Sequence, residues 1–283
     1  MRSKKLKLMV GALLVTMVGA TFVGCGSNES AEGDKAGSGA VTISISGSTS
    51  VGPTMEILAE DYQKANEGTT IEVQQVGSSA GITNTIDGTS QIGMSSRDLK
   101  DEEKSELKEY QIAIDGIAVI TNSANKVKDL TLDQVKDIYT GKITNWKEVG
   151  GNDADIVVVS REDGSGTRDG FQEIVGFESG DLTSNAQISD GSGNIKTTVQ
   201  GNENAIGYIS FGYLDDSINS VKIGGVEPKE ENVYNKKYPI SRPFLLVTKG
   251  DATGDAKSFI DYVLSDEGQK TIEKEGFMSV NQK

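Results

Sequence analysis

Histidine occurs nowhere in the 283 residues. Its absence excludes Ser-His-Asp and Cys-His nucleophilic catalysis and every histidine-ligated metal site. Cysteine occurs once, as Cys25, so an intrachain disulfide and a thiolate metal cluster are excluded too. Two phosphate-loop signatures are also missing. Gly164, Gly166 and Gly170 give GxGxxxG, one residue longer than the dinucleotide fingerprint. Gly141-Lys142 is followed by Ile143, so the Walker-type Lys-Ser/Thr pair is absent. Positive charge is scarce: 28 Lys plus Arg stand against 42 Asp plus Glu, a net charge of −14. Residues 1–24 hold four of the bases (Arg2, Lys4, Lys5, Lys7) and no acid, so the rest carries 24 bases against 42 acids, or −18. Such acidity argues against a nucleic-acid partner. It still admits a small anion, because local N–H and hydroxyl dipoles can hold one inside an acidic protein.

The length allows one large domain or two modest ones. At the amino terminus, Arg2 to Lys7 is basic, Leu8 to Val23 is almost wholly apolar, and Gly24-Cys25 closes the run. These are the basic and apolar regions of a secretory signal, and the 16-residue run is short for a spanning helix, which needs about 20. Phe22-Val23-Gly24-Cys25 resembles the lipobox of bacterial lipoproteins, with Phe in the usual place of Leu. Residues 1–24 are therefore expected to be a signal peptide, and Cys25 the diacylated first residue of the mature chain. Residues 25–40 are small, polar and unpatterned, as in a flexible tether. Two acyl chains anchor a protein durably. The expected location is the outer face of a membrane.

From Val41 short strands alternate with helices, the pattern of an α/β fold. Residues 41–46 alternate apolar and hydroxyl side chains as a strand, and Gly47-Ser48-Thr49-Ser50 follows. A helix then presents Met55, Leu58, Ala59 and Tyr62 on one face, with Pro53 in its first turn, where the missing N–H costs nothing. The next unit repeats the design, with a strand at 71–76, a turn at Gly77-Ser78-Ser79-Ala80-Gly81 and a short helix at 82–86. Ile92-Gly93-Met94 then leads to Ser95-Ser96-Arg97. The densest cluster is Ser160-Arg161-Glu162-Asp163-Gly164-Ser165-Gly166-Thr167-Arg168, between the apolar run 156–159 and a helix-compatible segment at 171–175.

Glycines there let the backbone bring its N–H groups close to a ligand. A helix start leaves N–H groups unpaired and carries partial positive charge. Arg161 adds a planar fork of donors suited to an oxyanion. The motif predicts oxyanion capture with Ser165, Gly166 and Thr167 as donors; the alternative is a loop with a hydroxyl N-cap. Hydroxyl and glycine clusters recur at successive strand ends, where open α/β sheets bind ligands. Their convergence predicts one shared anion site.

Further along, residues 115–120 form an apolar strand able to cross between lobes, and residues 238–247 a return crossing. Residues 131–139 read as a capped helix with Leu132, Val135, Ile138 and Tyr139 on one side. Residues 205–210 read as a strand, and 256–264 and 267–275 as closing helices. Trp146, Tyr208, Phe211 and Tyr213 are expected in the core, and residues 227–231 on a solvated face.

Gly47-Ser48-Thr49-Ser50, Gly77-Ser78-Ser79-Ala80-Gly81, Ile92-Gly93-Met94-Ser95-Ser96-Arg97 and the run from Arg161 to Thr167 occur in a telling order. With Tyr139 to Trp146, and Leu264 to Gln269 followed by Gly276-Phe277, they run from Gly47 to Phe277, and the likeness they carry extends over roughly residues 41–280. Over that length the chain resembles the phosphate-binding lipoproteins of bacterial phosphate ABC transporters. The resemblance implies a two-lobed, type II periplasmic-binding-protein fold, each lobe a mixed sheet flanked by helices, with two crossing strands as the hinge. Lobe one would comprise 41–117 and 243–283, lobe two 118–242. It further implies a monomeric receptor, without cofactor or catalysis, that closes on inorganic phosphate and delivers it to membrane permease subunits.

By motif, the resemblance assigns phosphate contacts to Thr49, Ser50, Ser78, Ser96, Arg161, Ser165, Gly166 and Thr167, with Asp163 orienting Arg161. One position departs: better-known members carry Asp where this chain has Ser96. That carboxylate accepts the proton of monohydrogen phosphate and repels sulfate, whereas a hydroxyl accepts without repelling. Another tetrahedral oxyanion such as sulfate is therefore the alternative ligand. Arg97 is either a second cationic donor or the partner of Asp98 or Asp101 in a surface ion pair. Two remoter alternatives are a phosphatase using Ser165 or Thr49, which has no histidine base, and an adhesin with a vestigial cleft.

Overall fold

The computed structural model describes residues 41–281. The expected signal peptide, Cys25 and the tether lie outside the described residues. The first half runs β1 (Val41–Gly47), α1 (Gly52–Ala65), β2 (Thr69–Gln75), α2 (Ser78–Ile86), β3 (Ile92–Ser95), α3 (Asp101–Lys104) and β4 (Leu107–Asn122). The middle adds β5 (Asp129–Leu130), α4 (Leu132–Tyr139), β6 (Val157–Arg161), α5 (Gly166–Val175), β7 (Gln187–Ser189), α6 (Gly191–Gln200) and β8 (Ala205–Ser210). After β9 (Ile218–Ser220), β10 (Lys222–Ile223) and α7 (Glu230–Tyr234), the chain closes with β11 (Ser241–Lys249), α8 (Gly254–Leu264), α9 (Asp266–Lys274) and β12 (Met278–Ser279).

The main sheet has the order β2-β1-β3-β11-β4-β8-β6-β7. β1 lies parallel to β2 and β3, and β6 parallel to β7 and β8, while β11 and β4 run antiparallel to their neighbours. β4 joins the two ends. At about 3.3 Å per residue its length is roughly 50 Å. Its residues 107–116 pair with β11, and residues 117–122 pair with β8 and β9. At the changeover the Ile117 N–H donates to the Ile240 carbonyl at 2.9 Å.

Two main apolar cores flank that changeover. Ile43, Met55, Leu58, Ile92, Phe244 and Phe259 belong to one. Ile117, Tyr139, Trp146, Phe171, Tyr208 and Ile240 belong to the other. Each large apolar side chain buried this way contributes about 1.5–3 kcal/mol. Phe171 and Tyr208 stack with centroids 4.0 Å apart, and the Trp146 indole N–H donates to the Asn204 carbonyl at 2.9 Å. Trp146 is core, as its position after a helix suggests. α4 is capped at Thr131, whose hydroxyl accepts from Gln134 N at 3.1 Å while the Gln134 side chain accepts from Thr131 N at 2.9 Å. Among the described residues no helix is long and apolar enough to cross a membrane.

Two expected boundaries move. The turn read at 77–81 is a turn only at Gly77, with φ of +89°, and α2 begins at Ser78. Gly81 serves the helix instead: a Cβ there would stand 2.3 Å from Gly47 Cα, so α2 rests directly on the end of β1. The return strand starts at Ser241 rather than 238. Tyr238 lies before it in the core, its hydroxyl donating to the Ile117 carbonyl at 2.9 Å.

Candidate functional site

β1, β2 and β3 run in the opposite direction to β6, so their carboxyl ends face its end across the changeover, and the hydroxyl clusters follow those ends. Contacts bring them together across long stretches of chain. Arg161 Nη2 donates to Thr49 Oγ1 at 2.8 Å, and Ser50 Oγ lies 2.9 Å from Thr167 Oγ1. Ser48 Oγ donates to Ser96 Oγ at 2.9 Å, Ser96 N donates to Ser78 Oγ at 3.2 Å, and the Ser78 and Ser96 hydroxyls are 3.3 Å apart. Gly166 fits where no side chain could: a Cβ would meet Ser78 Oγ at 2.3 Å and Ser96 Oγ at 2.9 Å. Gly164 seals the same junction, its carbonyl accepting from Ser79 N at 3.1 Å. All eight residues read from the motifs thus meet at one locus, and Ser50, Ser78, Ser96, Arg161, Ser165 and Thr167 are buried there.

The starts of α2 and α5 meet at Ser78 and Gly166, and the loop leading into α1 reaches α5 through Ser50. Helix starts present unpaired N–H groups and partial positive charge. Buried hydroxyls add donors whose protons turn to suit an acceptor. Ser165 keeps the capping role weighed for it, since its Oγ accepts from Arg168 N at 3.3 Å. A locus rich in N–H and O–H groups suits capture of an oxyanion.

Asp163 does not orient Arg161. Glu162 does: Arg161 Nε and Nη2 each donate to its carboxylate at 2.7 Å, and the same carboxylate accepts from Gly191 N at 3.3 Å. Asp163 is 92 % exposed in its side chain and pairs with Arg168 Nη1 at 2.6 Å. The reason is reach. Glu162 adjoins Arg161 and folds beside the guanidinium, whereas Asp163 lies beyond it at the turn made by Gly164, whose φ is +80°. Burial opposes ionisation of Glu162, but the hydrogen bonds and charge of Arg161 prevail and hold its pKa below the ordinary value.

Arg97 is not a surface residue. It is 4 % exposed, its Nη1 and Nη2 donate to Glu103 at 2.7 and 2.8 Å, and its Nε donates to Asp169 of α5 at 3.0 Å. Asp98 contributes only its backbone carbonyl, at 2.8 Å from Nη1. With these partners Arg97 joins β3 to α5 and is not a free donor for a ligand.

The matching family model is described as a PBP superfamily domain and covers residues 31–267. The phosphate-binding protein PstS of Bacillus subtilis is 37 % identical over 281 residues, spanning 96 % of this chain and 92 % of the relative. The chain belongs to the PstS family. Its sheet, with two strands shared between halves, is the two-lobed, type II periplasmic-binding-protein fold. A Clostridium perfringens protein, described as a phosphate ABC transporter substrate-binding protein and solved with bound phosphate, is 65 % identical. The match covers 85 % of this chain and all of that one, with a TM-score of 0.83. An ABC-type phosphate transport receptor from Vibrio cholerae is 38 % identical over 84 % of this chain and 99 % of its own, with a TM-score of 0.74.

Around this locus in the PstS-family chain, several contacts escape motif reading. Glu162 is one, Ser48 another. Tyr213 donates its hydroxyl to the Thr49 carbonyl at 3.1 Å, and Ser192 Oγ lies 3.5 Å from Arg161 Nη1. The most consequential are Asp115 and Arg242 on the crossing strands, where Arg242 Nη1 donates to the Ser96 carbonyl at 2.9 Å. A sequence signal for that pair exists, because each interrupts an otherwise apolar run with a charge of opposite sign.

Proposed function

We propose that this chain is the extracytoplasmic substrate-binding component of a phosphate ABC transporter, capturing inorganic phosphate between its lobes and passing it to membrane permease subunits. The observation that carries this reading is the meeting of Thr49 with Arg161 and of Ser50 with Thr167, residues 112 and 117 positions apart. The names and bound ligand of the relatives point the same way.

In this reading lobe one comprises 41–117 with 243–283 and lobe two 118–242, hinged where β4 and β11 cross. Thr49, Ser50, Ser78 and Ser96 donate from lobe one. Arg161, Ser165, Gly166 and Thr167 donate from lobe two, and the lobes close on the ion. Cys25 carries the lipid anchor that holds the receptor at the outer membrane face. Binding needs no bond made or broken, consistent with a chain that has no histidine base.

Titration calorimetry with phosphate and with sulfate tests the assignment. Phosphate is expected to bind at 1:1 stoichiometry and more tightly than sulfate. A preference for sulfate would reassign the site, and Ser96, a neutral hydroxyl bonded to Ser48 and Ser78, is the position where it would arise. Mass analysis of membrane-fraction protein tests the anchor at Cys25.

A further inference from the structure

β4 and β11 place Asp115 and Arg242 opposite one another at the crossing. Both are buried, and Arg242 Nε and Nη2 donate to Asp115 Oδ2 at 3.1 and 2.9 Å. The other oxygen of Asp115 accepts from Ser210 Oγ at 3.0 Å and from Phe211 N at 3.2 Å. The guanidinium also faces the oxyanion locus. Its Nη1 donates to the Ser96 carbonyl, and its Nη2 reaches Ser50 Oγ at 3.4 Å. α5 packs on its stem, since a Cβ on Gly170 would lie 3.6 Å from Arg242 Cδ.

Stability alone is a poor account of this pair, because a buried ion pair is on average no better than apolar side chains of similar volume. What it supplies is a permanently charged donor fork fixed on the strands about which the lobes hinge. A hydroxyl has a single proton. When Ser50 Oγ accepts from Arg242, that proton is left for an acceptor on the other side, where Thr167 stands.

We infer that Arg242, held by Asp115, is a positioning residue of the oxyanion site: it turns the Ser50 hydroxyl into a donor and fixes the Ser96 backbone from the hinge strands. This inference rests on the phosphate-receptor reading. Burial lowers the pKa of Arg242, Asp115 opposes the shift, and the positive charge of Arg161 adds to it. Two guanidiniums thus repel one another near the locus, and an oxyanion held there offsets that repulsion.

Arg242→Met alone would leave Asp115 buried without its partner, so the test uses the paired variant Asp115→Asn/Arg242→Met in the full mature chain. With circular dichroism and melting confirming the fold, calorimetry with inorganic phosphate is expected to show an affinity loss of about tenfold or more. Ser50→Ala is expected to weaken phosphate about tenfold in the wild-type background and less than about twofold in the paired one, the non-additivity of coupled groups. Arg242→Lys keeps the charge against Asp115 but cannot span Ser50 and Ser96 together. It is expected to lose about tenfold in affinity while still folding, with some loss of stability, and it carries the test should the paired variant not fold. Wild-type phosphate affinity in any folded variant overturns the inference, as does an equal Ser50→Ala loss in both backgrounds. Absence of phosphate binding by the wild-type protein overturns the receptor reading, and the inference with it.

Discussion

On the β1–β3 side of the locus the inward side chains are neutral hydroxyls, those of Thr49, Ser50, Ser78 and Ser96. On the β6–α5 side the inward groups are the Arg161 guanidinium, with Glu162 as its fixed counterion, and the start of α5 at Gly166 and Thr167. The difference separates a charged donor from neutral ones. Charge acts at a distance and is felt before contact, whereas hydroxyl hydrogen bonds act only near 2.8 Å. Glu162 cancels most of that reach here, so in the proposed receptor the guanidinium, like the hydroxyls, takes hold of the ion at close range as the lobes close. The neutral side costs little to expose while the lobes are apart, because hydroxyls bond readily to water. Arg161 would cost more to leave bare, and Glu162 holds it in place meanwhile.

Four experiments bear on that contrast, in order of expected size. Arg161→Ala removes the charge and leaves Glu162 without its partner, so a loss of about 2–5 kcal/mol in phosphate binding is expected by calorimetry. A loss no larger than that of one hydroxyl would erase the distinction between the sides. Gly166→Ala drives a Cβ into Ser78 and Ser96 where the sides meet, and overpacking of this kind costs about 1–3 kcal/mol. Combining it with Ser78→Gly is expected to restore part of the phosphate affinity, which would locate the clash between α2 and α5.

Thr49→Ala and Ser78→Ala, on the neutral side, should each cost about 0.5–1.5 kcal/mol of binding, the usual worth of one hydrogen bond. The smallest effect concerns pH. Glu162 and Glu103 both have pKa values lowered below the ordinary 4.5: burial raises each, but Arg161 in one case and Arg97 in the other outweigh it. Their contribution to stability is therefore full above that value and disappears as pH falls through the lowered one. Melting curves between neutral and strongly acidic pH should show this loss, and Glu162→Gln should shrink it.

Much of the fold was legible beforehand. The alternation at 41–46 and the helical spacing of Met55, Leu58, Ala59 and Tyr62 are period signals, and both correspond to β1 and α1. Residues 107–114 escaped notice as part of β4, because Lys108, Glu109, Tyr110 and Gln111 break the apolar run that marks 115–120. Pairing with β11 holds them in a strand, and a single sequence does not display a partner more than a hundred residues away. At the candidate site, the eight residues assigned by motif come together in space, and their loops share one design. Glu162 was missed in favour of Asp163. Both acids lie within two positions of Arg161 in sequence, and only the course of the chain through Gly164 decides which one can fold back.

Arg97 makes the same point in a different way. Its near neighbours Asp98 and Asp101 were the obvious partners by sequence distance, yet Asp169, 72 positions away, binds its Nε. Composition and short-range pattern determined the negative conditions and the local ones: no histidine or thiolate chemistry, a strongly acidic chain, and hydroxyl-glycine turns placed after strands. Those properties depend on residue type and on neighbours a few positions apart. Which carboxylate holds which guanidinium, and that Arg242 comes to lie beneath Ser50 and Ser96, depended on crossing strands that bring distant segments within 3 Å or so, the range over which hydrogen bonds act. Only the tertiary structure could decide them.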